Sequence, residues 1–223
     1  MIARQKAPQQ PRRVWQRMLS GRRLDLVDPS PLDIEIEDIA HGLARVARWN
    51  GQTVGDHAFS VAQHSLLVVD IVEALNPASI DRRVLLAALL HDAPEYVIGD
   101  MITPFKAILG EGYRDIETNL ARAIHIRHSL PAVLPQKWLN LIKSADRVSA
   151  FLEATQLAGF ERAEAVRFFG EPQTSLARIQ IKPLPPTDVE AAFLKRHNAL
   201  FDERQRERDL GEVAVIKQTY DSL

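Results

Sequence analysis

The 223-residue chain has no cysteine. That excludes disulfides and thiolate metal sites, so any metal must be held by His and carboxylate ligands. The absence suits a reducing compartment, and a cytoplasmic location is the expectation. Neither charge sign is in excess: 28 Lys and Arg face 29 Asp and Glu, for a net charge of -1. No global field therefore draws the protein to nucleic acid or to a membrane, and any anion must be met by a local site. Long apolar runs are also missing; the longest, Val84–Leu90, is far short of a membrane span. The N-terminal stretch MIARQKAPQQPRR lacks the apolar core of a secretory signal. No acidic residue precedes Asp25, but Pro8 and Pro11 disfavour the amphipathic helix of a transit peptide. Arg4, Lys6, Arg12, Arg13 and Arg17 read as a solvated basic arm rather than a nucleic-acid contact.

What is present is an ordinary globular composition, 46% hydrophobic and 26% charged, sufficient for one well-buried core. No internal repeat or long low-complexity block occurs. Residues 1–23 are expected to form the basic tail and one short helix, Val14–Leu19, around Trp15 and Met18. Leu24 and Leu26, then Ile34 and Ile36, alternate with polar residues around the turn signal Asp28-Pro29-Ser30-Pro31, so a small β-hairpin is expected over 24–37. From Asp38 helical periods dominate. Ile39, Leu43 and Val46 mark a first helix stopped near Asn50-Gly51. Val61, Val68, Ile71 and Leu75 mark a second, ended by Asn76-Pro77. Ser79 can cap a third running to the His91 region, and Thr103-Pro104 starts a short one. Further helices are expected around Tyr113–Ile124 and from Gln136 to Leu157. A Pro-rich joint, Ile181–Pro186, leads to a last helix whose Thr187-Asp188-Val189-Glu190 resembles a capping box. The fold class is mainly α, one helical body over 38–180 with an N-terminal hairpin and an added C-terminal segment, 181–223.

Chemistry is signalled by polar residues at positions where the helices should bury apolar ones. His64 lies on the Val61–Val68 stripe, three residues after one and four before the other. His91 and Asp92 follow Val84–Leu90 directly, and Asp146 borders the Ile142-Ala145-Ser149 face. A buried carboxylate without a partner is costly, and binding a cation removes that cost. Two imidazoles and two carboxylates on three helices fit one divalent transition metal or magnesium ion with positions left open to water. Glu95, four residues after His91 and three after Asp92, is placed to share their face. A carboxylate there can orient water, take its proton or return one to a leaving group. Pro94 should bend that helix or mark its end. Taken singly, each residue has a bland reading. His64 could be a hydrogen-bonded core residue, His91-Asp92 a helix-terminal polar pair, Glu95 a solvated side chain, and Asp146 a partner of Lys143 or Arg147.

The ordered set His64 … His91-Asp92 … Asp146 resembles the signature of the HD superfamily of metal-dependent phosphohydrolases. The words around it are similar to those of the bacterial 5′-deoxynucleotidase (YfbR-like) branch: Ser60–Ser65, Ala88–Glu95, Gly99-Asp100, Thr103-Pro104 and Lys143–Asp146. The resemblance spans about residues 38–158. It implies an HD-domain helical bundle, a metal on His64, His91, Asp92 and Asp146, and Glu95 as the catalytic carboxylate. It also implies that Arg48-Trp49 contacts a nucleotide, the Arg near phosphate, and that Asp100 lies near the sugar. A guanidinium can fork onto phosphate oxygens and an indole offers a flat face. A surface Arg beside a core Trp, and a turn Asp after Gly99, are the structural alternatives. Lys106 is a weaker phosphate candidate. A homodimer is implied too, to which the amphipathic last helix (Val189, Phe193, Leu200) either contributes or folds back on its own core. Gln63 stands where that branch often has Glu, the segment Val54–Phe59 differs, and an N-terminal extension precedes the shared part.

The activity so implied is release of phosphate from a small-molecule ester, a (deoxy)nucleoside 5′-monophosphate. One rival is a two-metal HD phosphodiesterase or oxygenase, which would need further His ligands. His125 and His128 come in the right order, but the Ile116-Leu120-Ile124 period points both toward solvent. Another rival is a nucleotide-binding regulatory protein that keeps the fold without turnover.

Overall fold

In the computed structural model, residues 14–76, 80–101 and 111–201 are described, and helices dominate them. The expected N-terminal hairpin is present but starts earlier in the chain. Strand β1 (Trp15–Arg17) pairs antiparallel with β2 (Arg23–Asp25), Gln16 opposite Leu24. Residues 14–19 therefore do not form the short helix expected from Trp15 and Met18. Gly21, at φ 87°, makes the reversal with Met18 and Arg22. The Asp28–Pro31 turn leads into a single 3-10 turn, Pro31–Asp33, and Ile36 already belongs to a helix. Leu24 is fully buried, and both Asp38 carboxylate oxygens accept from Ser20, so the hairpin is fastened to the body.

Helix α1 (Ile36–Leu43) buries Ile39, Ala40 and Leu43. The chain then makes a left-handed turn at Trp49 and Asn50, φ 56° and 51°, and runs back to Ser60. Ser60 Oγ accepts from Gln63 N (3.2 Å) and opens α2 (Val61–Leu75), which ends at Asn76 as the sequence predicts. Helix α3 (Arg82–Leu89) is capped by Asp81, whose carboxylate accepts from Arg83 N at 2.9 Å. Ser79, the expected cap, lies outside the described residues. Pro94 marks a break: His91 and Asp92 sit on a turn, and α4 (Glu95–Ile98) restarts directly after the proline.

Helices α5 (Glu111–Arg127) and α6 (Gln136–Gln156) follow near the expected bounds. Helix α7 (Arg162–Phe169) was not anticipated. A last helix, α8, is described over 186–201. It begins at Pro186, with Asp188 N and Val189 N both bonded to Pro185 O. Thr187 is thus inside the first turn, and the Thr187 capping box does not form, because proline already suits the first helical position. Its Val189, Phe193 and Leu200 are buried, so this helix folds back on its own core. The Thr103-Pro104 helix, Lys106, the tail before residue 14 and the charged stretch after 201 lie outside the described residues.

Three packing contacts position the site. Helix α2 lies centrally, against α3 on one side and α6 on the other. Helix α1 holds α4 so closely that a Cβ on Gly42 would stand 2.9 Å from both Cβ and O of Tyr96. The Pro-rich joint is stitched down by two amides. Gln63 Nε2 donates to Lys182 O (2.6 Å) and its Oε1 accepts from Leu184 N (3.1 Å), while Gln156 bonds Ile179 O and Ile181 N. A glutamate at 63 has no donor for Lys182 O, which is why glutamine fits this chain.

Candidate metal centre and active site

Three elements deliver the predicted ligands to one place. His64 comes from the buried face of α2, His91 and Asp92 from the turn after α3, and Asp146 from mid-α6. His64 Nε2 lies 3.3 Å from His91 Nε2, 3.3 Å from Asp146 Oδ1 and 3.5 Å from Asp92 Oδ2; His91 Nε2 and Asp92 Oδ2 are 3.3 Å apart. Ligand atoms bound at about 2.0–2.2 Å around one ion stand roughly 3–3.5 Å from one another, and these spacings match. Ligand atoms of His64, His91 and Asp92 all lie within 4.8 Å of each other, and Asp146 flanks this trio on the His64 side. Asp146 pairs with neither Lys143 nor Arg147 among the described residues.

The donor chemistry suits a cation. His91 Nδ1–H donates to Ala88 O (2.7 Å) and His64 Nδ1–H to Glu153 Oε1 (2.6 Å). Both rings are thereby turned to present Nε2, and two such nitrogens facing at 3.3 Å share a positive charge, either a proton on one ring or a bound cation. Burial alone would raise the pKa values of Asp92 and Asp146, but the neighbouring imidazoles hold both below the usual carboxylate range, Asp92 well below it. Burial and Arg48 push His64 down; Glu153, Asp146 and Asp92 outweigh them and hold it well above an ordinary histidine. His64 is 0% exposed, against 23% and 39% for the Asp92 and Asp146 side chains, so the centre opens toward its carboxylates.

The Arg48-Trp49 pair stands behind this centre. Arg48 Nε donates to Glu153 Oε2 (3.2 Å) and Nη1 approaches Asp100 Oδ2 (3.4 Å); Trp49 Nε1 donates to Glu153 Oε2 (2.8 Å). Arg48 is largely buried. Desolvation lowers its pKa, yet Glu153, Asp92, Asp100 and Asp146 raise it further, so it stays a cation. The Trp49 ring packs on Phe160 and Phe169, so the indole is partly a core residue.

Glu95 is buried at the start of α4 and lines a cavity of about 380 Å³ with His91 and Asp92. Its nearness to them comes from the Pro94 turn rather than a continuous helix face. Across the cavity stand Glu117, Arg122 and His125 of α5. His125 and His128 are buried, contrary to the solvent-facing orientation read from the helix period. The segment 130–134 folds back, with Leu130 N on His125 O and the His125 ring on Ala132 O, and α8 covers His128 through His197 and Phe201. Periodicity along one helix does not register such covering. Among the described residues no group of three metal-ligating side chains includes either histidine.

Sequence reasoning missed Glu153 and Ser149. They follow Asp146 at i+7 and i+3 on α6, so a polar stripe on one helix face was the available signal. Ser149 Oγ lies 3.1 Å from His64 Nδ1 and donates to Glu153 Oε1 (2.8 Å). Glu153 is fully buried; desolvation raises its pKa, but His64 and Arg48 bring it far below the usual carboxylate value.

A helical bundle carrying a His and a His-Asp pair around one point, with an Asp of a later helix against that His, is the arrangement of HD-domain phosphohydrolases. Residues 39–195 match the 5′-deoxynucleotidase YfbR-like family, and the chain belongs to it. The match extends through the Pro-rich joint into α8. The chain is 62% identical over 191 residues to an uncharacterized Rhodobacter capsulatus protein, covering 85% of this chain and 97% of that one. It is 28% identical over 173 residues to the uncharacterized Escherichia coli protein YfdR, covering 78% and 88% of the two chains. A third relative, 4′-phosphooxetanocin A phosphatase of Priestia megaterium, is 27% identical over 135 residues, covering 52% of this chain and 70% of that enzyme. The family and this phosphatase support a metal-dependent hydrolase acting on phosphate esters.

Proposed function

We propose that the protein removes phosphate from nucleoside 5′-monophosphates, with a single divalent ion held by His64, His91, Asp92 and Asp146. The observation that carries this reading is the convergence of those side chains, two oriented Nε2 atoms and ionised carboxylates, beside a cavity bordered by Glu95. A bound ion would supply Lewis-acid charge to a phosphate oxygen and acidify water. Arg48 has two of its five N–H groups engaged, by Glu153 and Asp100; the remaining donors serve the phosphate oxygens and stabilise charge building on them. Trp49 fixes the turn that carries Arg48 and borders the nucleotide, and Asp100 lies beside Arg48 on the sugar side. Glu95 takes the proton of the attacking water and returns one to the leaving 5′ oxygen as the P–O bond breaks. The cavity of about 380 Å³ bordered by His91, Asp92 and Glu95 suits a small molecule, while Arg48, Trp49 and Asp100 lie outside its lining.

No helix among the described residues is long and apolar enough to cross a membrane. Cytoplasmic action and a homodimer complete the reading, supported by the absence of cysteine and by the family likeness. The test is phosphate release from a panel of ribo- and deoxynucleoside monophosphates, with Mg²⁺, Mn²⁺, Co²⁺ or Zn²⁺ added to metal-stripped protein. Metal-dependent release is expected. Nucleotide binding without release under every metal would refute the enzymatic reading in favour of a regulatory protein, and two ions per chain would favour the two-metal alternative.

A further inference from the structure

We infer that Glu153 is a positioning residue whose two carboxylate oxygens tie the metal ligand His64 to the Arg48-Trp49 turn, coupling metal affinity to phosphate affinity. The inference rests on the reading of Arg48 given above. Oε1 accepts His64 Nδ1–H at 2.6 Å and Ser149 Oγ–H at 2.8 Å; Oε2 accepts Trp49 Nε1–H at 2.8 Å and Arg48 Nε–H at 3.2 Å. Four donors from three elements thus converge on one side chain that is 0% exposed. An ionised carboxylate is acceptor-only, and no other side chain of this size can accept at both ends at once.

The backbone on the Oε2 side gives a second reason. Trp49 adopts φ 56°, ψ 28° and Asn50 φ 51°, ψ 31°, a left-handed conformation that is uncommon for a bulky aromatic. Backbone in that region persists where surrounding contacts over-determine it. Here those contacts are the Trp49–Glu153 bond, Arg48 N on Phe59 O (2.8 Å), and the rings of Phe160 and Phe169. At the other end, the bond to His64 Nδ1 turns Nε2 into the metal centre. Outer carboxylates of this kind typically change metal affinity 10–100-fold when removed.

Glu153→Gln tests this, because a carboxamide has one acceptor and one donor and no charge. It must therefore oppose a donor with a donor at one end and weaken both. The readouts are Co²⁺ affinity by visible absorption, inorganic phosphate affinity of the Co²⁺-saturated protein by calorimetry, and Tm. We expect roughly 10–100-fold weaker Co²⁺ binding, together with phosphate binding weakened severalfold or more. A purely structural carboxylate would lower Tm and leave both affinities intact. Folded Glu153→Gln that keeps either affinity within twofold of wild type would overturn the coupling. If Glu153→Gln does not fold, Ser149→Ala and Trp49→Phe decide: the first must weaken Co²⁺ and the second phosphate, and the inference fails unless both do. Arg48→Ala runs in parallel. Unchanged phosphate affinity there would refute the Arg48 reading and the coupling with it, whereas weakened phosphate binding in Arg48→Ala but not in Glu153→Gln would refute the coupling alone.

Discussion

Gly42→Ala is the substitution whose consequences follow most directly from a measured distance. The added Cβ would sit 2.9 Å from Tyr96 Cβ and Tyr96 O, whereas carbon contacts are most favourable near 3.5–4.0 Å. Because one of the two atoms is backbone, a rotamer change alone does not relieve the clash. Helix α4, which carries Tyr96 next to Glu95, must move by about half an ångström or more. Overpacking of this kind costs about 1–3 kcal/mol, and replacing glycine inside α1 gives back about 1 kcal/mol of helix propensity. The net loss is therefore at most about 2 kcal/mol, a few degrees in Tm for a chain of this size. Turnover should suffer more than stability, since displacing a catalytic group by about 1 Å can cost on the order of a hundredfold. The assay pairs thermal unfolding with metal-dependent phosphate release and Co²⁺ affinity. Gly42→Ala with wild-type kcat would mean that α1 does not set the position of Glu95.

Other outcomes are equally specific. Glu95→Gln should keep Co²⁺ affinity within a few-fold while slowing turnover by about a hundredfold, the usual range for a proton-transfer group; normal turnover would remove Glu95 from that role. Gln63→Glu should place a carboxylate against Lys182 O, where Gln63 Nε2 now donates at 2.6 Å, and cost about 1–2 kcal/mol by denaturant unfolding; no loss would show that the joint is held elsewhere. Burial pushes the His128 pKa down to about 4, so the unfolded chain takes up this proton first as pH falls. Stability from His128 is fully present above about pH 6.5 and declines from there toward pH 4, by roughly 2 kcal/mol between pH 7.5 and 5. His128→Asn should remove that part of the pH dependence, and an unchanged profile would contradict the buried neutral state.

The helices and the candidate metal-site residues were legible because each is local or periodic. Ser60, Asn76 and the Val61–Ile71 stripe specify α2 within fifteen residues, and His64 stands out as a polar side chain on that stripe. Signals that depend on distant chain were not legible. Trp15 begins a strand because β2 pairs with it, although its local pattern suits a helix equally. His125 and His128 are hidden by a loop and by α8, neither of which belongs to their helix. Glu153 resembled an ordinary helical glutamate, since its meaning comes from donors 89 and 105 positions away. Arg48 and Trp49 were singled out only through a family likeness. The structure then supplies the physical content, a strained turn bonded to the same carboxylate as His64.

The most direct test is anomalous diffraction from crystals loaded with Mn²⁺ or Co²⁺, recorded on both sides of the metal absorption edge. One peak per chain is predicted, within about 2.0–2.3 Å of His64 Nε2, His91 Nε2 and carboxylate oxygens of Asp92 and Asp146. A peak away from these four side chains, or none at an occupancy that supports phosphate release, would contradict the account.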